Sequence, residues 1–140
     1  MMESAEIRIV DDYLRLCEER KLEEAAKFLA DDARMTFPGG TVFTDLPSMV
    51  ADAAQRYARV RKHRTEFIVG NRASDGETVC ISTGTLDGET LWGTSFTGVR
   101  YLDLFIIRDG LIQEQYVWND LSETGVAPLL LQRLASGSPA

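Results

Sequence analysis

The chain is poor in cysteine and histidine and has no long apolar run. Only Cys17 and Cys80 occur in 140 residues, too few for a disulfide framework. Their places in a helical and a strand pattern read as small core side chains in a reducing compartment. The longest apolar stretches are a few residues, far short of the roughly 20 that span a bilayer. The opening segment MMESAEIRIVDDY has neither a basic lead nor an apolar signal core. The expectation is a soluble, cytoplasmic protein with no membrane partner. Glycine-rich phosphate loops, a helical His pair and Cys-x-x-Cys are missing, so nucleotide and metal chemistry lack their usual residue basis and no metal or organic cofactor is expected. A nucleophile made of His63 with Cys17 or Cys80 has no orienting context. The net charge of -7 leaves no broad basic face, which excludes a general nucleic-acid binder.

One local exception is RYARVRKHR, residues 56 to 64. It reads either as a solvated helix C-terminus, where cations complement the helix dipole, or as a basic lip beside a pocket for an anion. His63 within it is a helix-end residue or the available general base, being the one side chain here whose unperturbed pKa lies near neutrality.

With 44% hydrophobic and 26% charged residues, there is apolar material for one core, so residues 1–135 read as a single domain and 136–140 as a loose tail. From Ser4, a plausible N-cap, Ile7, Val10, Tyr13, Leu14 and Cys17 recur at helical spacing. A second, shorter helix carries Leu22, Ala25, Ala26 and Leu29 and breaks at Asp31 and Asp32. RMTFPGGTVF is a strand ended by a turn. A third helix begins after Asp45, with Pro47 in its first turn, and presents Val50, Ala53, Ala54 and Tyr57 before ending near the basic cluster. From there to about residue 120 everything is β-like, and APLLLQRLA offers a short terminal helix. Helices first and a meander of strands last imply an α+β fold, with the helices on one face of a strongly bent, mostly antiparallel sheet.

The segment RYLDLFIIRDGLI, residues 100 to 112, sets a carboxylate, Asp103, between two leucines of a buried-looking strand. If Asp109-Gly110 is a two-residue primed turn, Asp103 faces Tyr116. If Arg108-Asp109-Gly110 is a three-residue turn with Gly110 left-handed, Asp103 faces Gln115. The second register is favoured. It gathers Tyr101, Asp103, Phe105, Gln113, Gln115, Val117 and Asn119 on a semi-polar face suited to a lined cavity. The opposite face, with Arg100, Leu102, Leu104, Ile106, Ile112, Glu114, Tyr116 and Trp118, is more continuously apolar and offers a surface for a second subunit.

YLRLCEERKLEEAAKFLADDA and DLFIIRDGLIQEQYVWND resemble the two opening helices and the closing hairpin of the nuclear transport factor 2-like superfamily, which includes SnoaL-like polyketide cyclases, limonene epoxide hydrolase and ketosteroid isomerase. The resemblance implies a cone-shaped α+β barrel on three N-terminal helices. By position it implies that Tyr13 matches the isomerase's oxyanion-hole tyrosine and Asp103 its protonated aspartate, two donors that would serve an enolate oxygen in an apolar pocket. The isomerase's base position falls on Phe37, and an acidic position of the hydrolase falls on Val117, which argues against both of those reactions. The resemblance and the two sheet faces together imply a homodimer, joined through the sheet face, that binds a small hydrophobic carbonyl or phenolic compound. Tyr13 and Asp103 would be its catalytic donors and His63 its candidate base. Phe37, Tyr57, Tyr101, Phe105, Gln115, Val117 and Asn119 would line the ligand site. Isomerisation, cyclisation or dehydration is the expected chemistry, and a noncatalytic binding or assembly module is the competing reading.

Overall fold

In the computed structural model, residues 4–124 and residue 126 are described. The helix proposed for APLLLQRLA and the tail 136–140 lie outside them. The first helix, α1 (Ala5–Glu18), starts where expected: the Ser4 side chain accepts from the Ile7 N–H at 3.2 Å, satisfying one of the helix's orphan donors. Its stripe of Val10, Tyr13, Leu14 and Cys17 is buried. The second helix, α2 (Leu22–Ala26), is shorter than the sequence pattern suggested. Leu29 belongs instead to strand β1 (Leu29–Thr36), where it pairs with Ile112, and Asp31 and Asp32 sit exposed in an irregular stretch before pairing resumes at Arg34.

After the two-residue strand β2 (Val42–Phe43), α3 (Leu46–Ala53) is capped by Asp45, which accepts from the Ser48 N–H at 2.8 Å. The helix ends at Ala53, short of Ala54 and Tyr57 of the expected face. Tyr57 already opens strand β3 (Tyr57–Asn71), so the basic run lies in an extended strand and not at a helix end. Cross-strand pairing along β4 (Thr78–Thr90) overrides the helical spacing there. Strands β5 (Ser95–Arg108) and β6 (Leu111–Asn119) complete a six-stranded sheet in the order β2-β1-β6-β5-β4-β3. Every pairing is antiparallel except β1 with β6. Among the described residues β2 and β3 have no strand on their outer edges, so the expected barrel does not close there and the sheet is an open, curled cone wall.

The curl is built into β3 and β4. Pairing slips by one residue between Arg64 and Glu66, opposite Gly84, and a Cβ on Gly84 would stand 1.9 Å from the His63 carbonyl oxygen. Only glycine allows that approach.

The hairpin follows neither register proposed from sequence. Asp109 and Gly110 have φ of 53° and 75°, a two-residue primed turn, and Arg108 pairs with Leu111. A bulge at Gln113 then shifts the ladder, so that Asp103 faces Val117 and Phe105 faces Gln115. The Gln113 amide donates to the carbonyls of Arg108 and Leu111 at 3.2 and 3.3 Å, tying the bulge down. Its effect is to give the favoured register's faces with different partners. Tyr101, Asp103, Phe105, Gln115 and Val117 are buried on the inner side, whereas Gln113 leaves that face and Ile112, expected outside, is fully buried.

Candidate functional site

Two apolar clusters fill the cone. The larger joins α1 to Met35, Phe105 and Ile112; the smaller contains Leu86, Val99 and Tyr101. Between them is a cavity of about 450 Å³, inside the range of small-molecule sites. Tyr13 and Cys17 of α1, Phe37 and Phe43, Met49 and Val50 of α3, and Leu86 and Val117 form much of its wall. Of the ligand-site residues expected from sequence, Phe37, Tyr57, Tyr101, Gln115, Val117 and Asn119 line it. Phe105 does not; it is fully buried beneath Tyr13, the two rings edge to face at 5.9 Å.

Beside its apolar residues the wall carries the charged residues Glu18, Arg20, Asp52, Arg56 and Arg59. Tyr13 Oη donates to Gln115 Oε1 at 3.0 Å, which leaves the Gln115 amide nitrogen as the free end of that side chain on the cavity wall. Burial pushes the Tyr13 phenol well above its ordinary pKa, with further contributions from Cys17 and Asp103, so Tyr13 is a neutral donor. Burial likewise pushes the Cys17 thiol up to about 11, so it sits in the wall as an uncharged thiol. Tyr101 Oη and Ser82 Oγ share a hydrogen bond at 2.9 Å.

Asp103 departs from expectation. It is 0% exposed and is not part of the cavity wall. Lys62, which is part of that wall, stands in front of it with Nζ paired to Asp103 Oδ2. Asp103 Oδ1 has no hydrogen-bond partner among the described residues. Burial raises the Asp103 pKa, and the charge and hydrogen bond of Lys62 only partly offset this. Lys62 Nζ also lies 4.8 Å above the centre of the Tyr101 ring. An ammonium carries three donors, so the carboxylate and the ring face leave one for the cavity. The strand is pinned at this point, because the Lys62 N–H donates to Glu18 Oε1 of α1 at 2.7 Å.

The geometry thus separates the proposed donor pair, with Tyr13 on the wall and Asp103 behind Lys62. It also removes His63. Alternation along β3 turns Val60, Lys62 and Arg64 inward and His63 outward, where its half-exposed ring lies 3.4 Å from Asp87 on the far side of the sheet. Lys62 was the residue that sequence reasoning missed. Its signal, Val60-x-Lys62-x-Arg64 at a period of two, was present but was read as a helix end. Among the described residues no group of three or more His, Cys, Asp or Glu side chains could hold a metal ion, and no helix is long and apolar enough to cross a membrane.

Comparison with known proteins assigns the architecture. The model of the SnoaL-like domain matches residues 10–115. The chain belongs to the SnoaL-like family. Solved structures agree on the fold. A nuclear transport factor 2-like protein of unknown function from Burkholderia pseudomallei superposes with a TM-score of 0.74 at 19% identity, covering 88% of this chain and 96% of its own. TerC, crystallised with polyporic acid, gives 0.72 at 18%, with 86% and 95% covered. A protein from a Jannaschia species assigned as a SnoaL-like polyketide cyclase gives 0.66 at 17%, with 89% and 93% covered. No curated protein sequence matches the chain. At such identities the likeness shows the SnoaL-like cone alone, because unrelated chemistries share this scaffold.

Proposed function

We propose that this SnoaL-like domain binds a small, mostly apolar carbonyl or phenolic compound in the cone cavity, with the ligand's oxygen on Lys62 Nζ. The observation that carries the reading is a cation on the cavity wall, Lys62, held there by a fully buried carboxylate. A cation fixed in a water-poor site stabilises a phenolate or an enolate as it forms, without reorganising at that moment. The Gln115 amide supplies a second donor on the wall and Tyr13 orients it. The reaction class is isomerisation, cyclisation or dehydration. That structures of the same fold include a protein named a SnoaL-like polyketide cyclase and one crystallised with polyporic acid supports an oxygenated ligand of this kind.

The test is a fluorescence titration with 2-naphthol, whose ionised form mimics an enolate. Wild type is compared with Lys62→Met/Asp103→Leu, which removes the donor together with the buried charge behind it. The wild type should bind and shift the naphthol toward its anion, and the double variant should bind on the order of tenfold more weakly, the worth of one charge-assisted hydrogen bond. Equal binding by both proteins would refute the assignment.

A second subunit is favoured by the outer sheet face. Ile68, Ile81, Leu104 and Tyr116 stand directly opposite one another across four strands. Beside them Trp118, stacked on Tyr116, is 53% exposed. A row of this kind is an interface in waiting, and the noncatalytic alternative, a dimeric ligand-binding module, uses the same surface.

A further inference from the structure

Lys62 is also an amine in a cavity, and the residue type is informative. The chain contains twelve arginines and three lysines. Arginine is the usual choice for a buried ion pair, because its planar fork satisfies both carboxylate oxygens. Here the one fully buried acid that pairs with a cation, Asp103, faces a lysine, and its Oδ1 is left without a donor among the described residues. An arginine would fill that vacancy. What a lysine offers instead is an amine that can give up a proton and act as a nucleophile.

We infer that Lys62 forms an imine with an aldehyde or ketone bound in the cavity, with Asp103 as its proton relay. The inference rests on the carbonyl reading above and extends it to covalent chemistry. The ammonium first passes a proton to Asp103. The neutral amine attacks the carbonyl carbon, a C–N bond forms, and the carbonyl electron pair moves to oxygen; a proton shift from nitrogen to that oxygen gives the carbinolamine. Asp103 returns its proton to the hydroxyl, the C–O bond breaks, and water leaves. The product is a protonated imine beside a carboxylate, so the ion pair is kept and the balance is carbonyl plus ammonium giving iminium plus water. Burial, which already favours the neutral form of Asp103, eases the first transfer. The iminium then acts as an electron sink for loss of a proton or rupture of a bond at the adjacent carbon.

The other lysines that compete for a label, Lys21 and Lys27, are both exposed, and peptide mapping separates an adduct on Lys62 from one on any other amine, the α-amine included. The experiment is trapping with 2-naphthaldehyde and cyanoborohydride, read by peptide mapping, on protein for which 2-naphthaldehyde has been shown to displace 2-naphthol. The expected result is one reduced adduct, on Lys62, formed ahead of any on Lys21 or Lys27. Lys62→Arg should lose that adduct, and Asp103→Asn should form it more slowly at saturating 2-naphthaldehyde. Displacement of 2-naphthol without preferred labelling of Lys62 would overturn the imine and leave the binding site standing. Unchanged labelling in Asp103→Asn would overturn the relay. Failure of both naphthol and aldehyde to bind would overturn the cavity reading and the imine together.

Discussion

Replacing Lys62 by methionine keeps the unbranched apolar stem and deletes the charge. Asp103 then retains a fully buried carboxyl with no cation on Oδ2 and no donor on Oδ1. Removing one partner of a buried pair costs about 3–5 kcal/mol when the other stays ionised. Asp103 has an escape, because it can take up a proton. Its pKa is already raised by burial, and both influences that lower it come from Lys62, so in the variant it rises further. A carboxyl with a higher pKa in the folded than in the unfolded chain binds more protons when folded. Stability therefore falls as pH rises from the unfolded value, about 4, through the folded one, by up to about 1.4 kcal/mol per pH unit. The penalty of Lys62→Met relative to wild type should be largest at neutral and alkaline pH and should shrink on acidification toward the unfolded value. Urea unfolding followed by circular dichroism, at fixed protein concentration because a dimer links stability to concentration, measures it. Adding Asp103→Leu to Lys62→Met should restore most of the loss, since an apolar pair can replace a buried ionic one. A penalty below about 1 kcal/mol that does not change with pH, or a double variant no more stable than Lys62→Met, would refute the view that Asp103 is a buried charge held by Lys62.

Other consequences are simpler. Phe105→Ala removes a fully buried ring from beneath Tyr13 and should cost about 3–5 kcal/mol of unfolding free energy, measured by urea unfolding. Gly84→Ala sets a Cβ against the His63 carbonyl, and the forced shift of β3 should cost about 1–3 kcal/mol in the same assay while loosening the bend that shapes the cavity. Leu104→Arg places a charge at the centre of the outer apolar row and should convert a dimer to a monomer on a sizing column; a wild type that is already monomeric would remove the interface assignment.

Much of the fold was legible because its signals are local. The Ser4 cap, the start of α3 after Asp45 and the α1 stripe each depend on a few neighbouring residues, and each is found where it was read. The misreadings fall where a long-range partner decides. Leu29 fits an α2 face by spacing, yet Ile112 draws it into the sheet. Tyr57 fits an α3 face, yet pairing with Thr90 makes it the start of β3. The bulge at Gln113 has no glycine and no unusual residue to announce it. It is visible only as a conflict: a tight turn at Asp109-Gly110 demands one register, and burial of Phe105 with Gln115 and Val117 demands the other.

That conflict and the missed site residue share one cause, the phase of a strand. In β6 a single inserted residue returns Gln115 and Val117 to the inner face after the turn has put them out of step. In β3 the phase decides whether a lysine or a histidine meets the cavity, and therefore which chemistry is available. With His63 inward, the site would hold a group suited to proton transfer near neutrality. With Lys62 inward, it holds a permanent donor that becomes a nucleophile only through Asp103. A one-residue slip of β3 would also carry Arg64 away from Asp11 and detach the Lys62 N–H from Glu18, the two polar ties between α1 and this strand. Helix α1 thus does more than cover the sheet: by holding β3 in phase from one side while Asp103 holds it from the other, it selects the amine that the cavity presents.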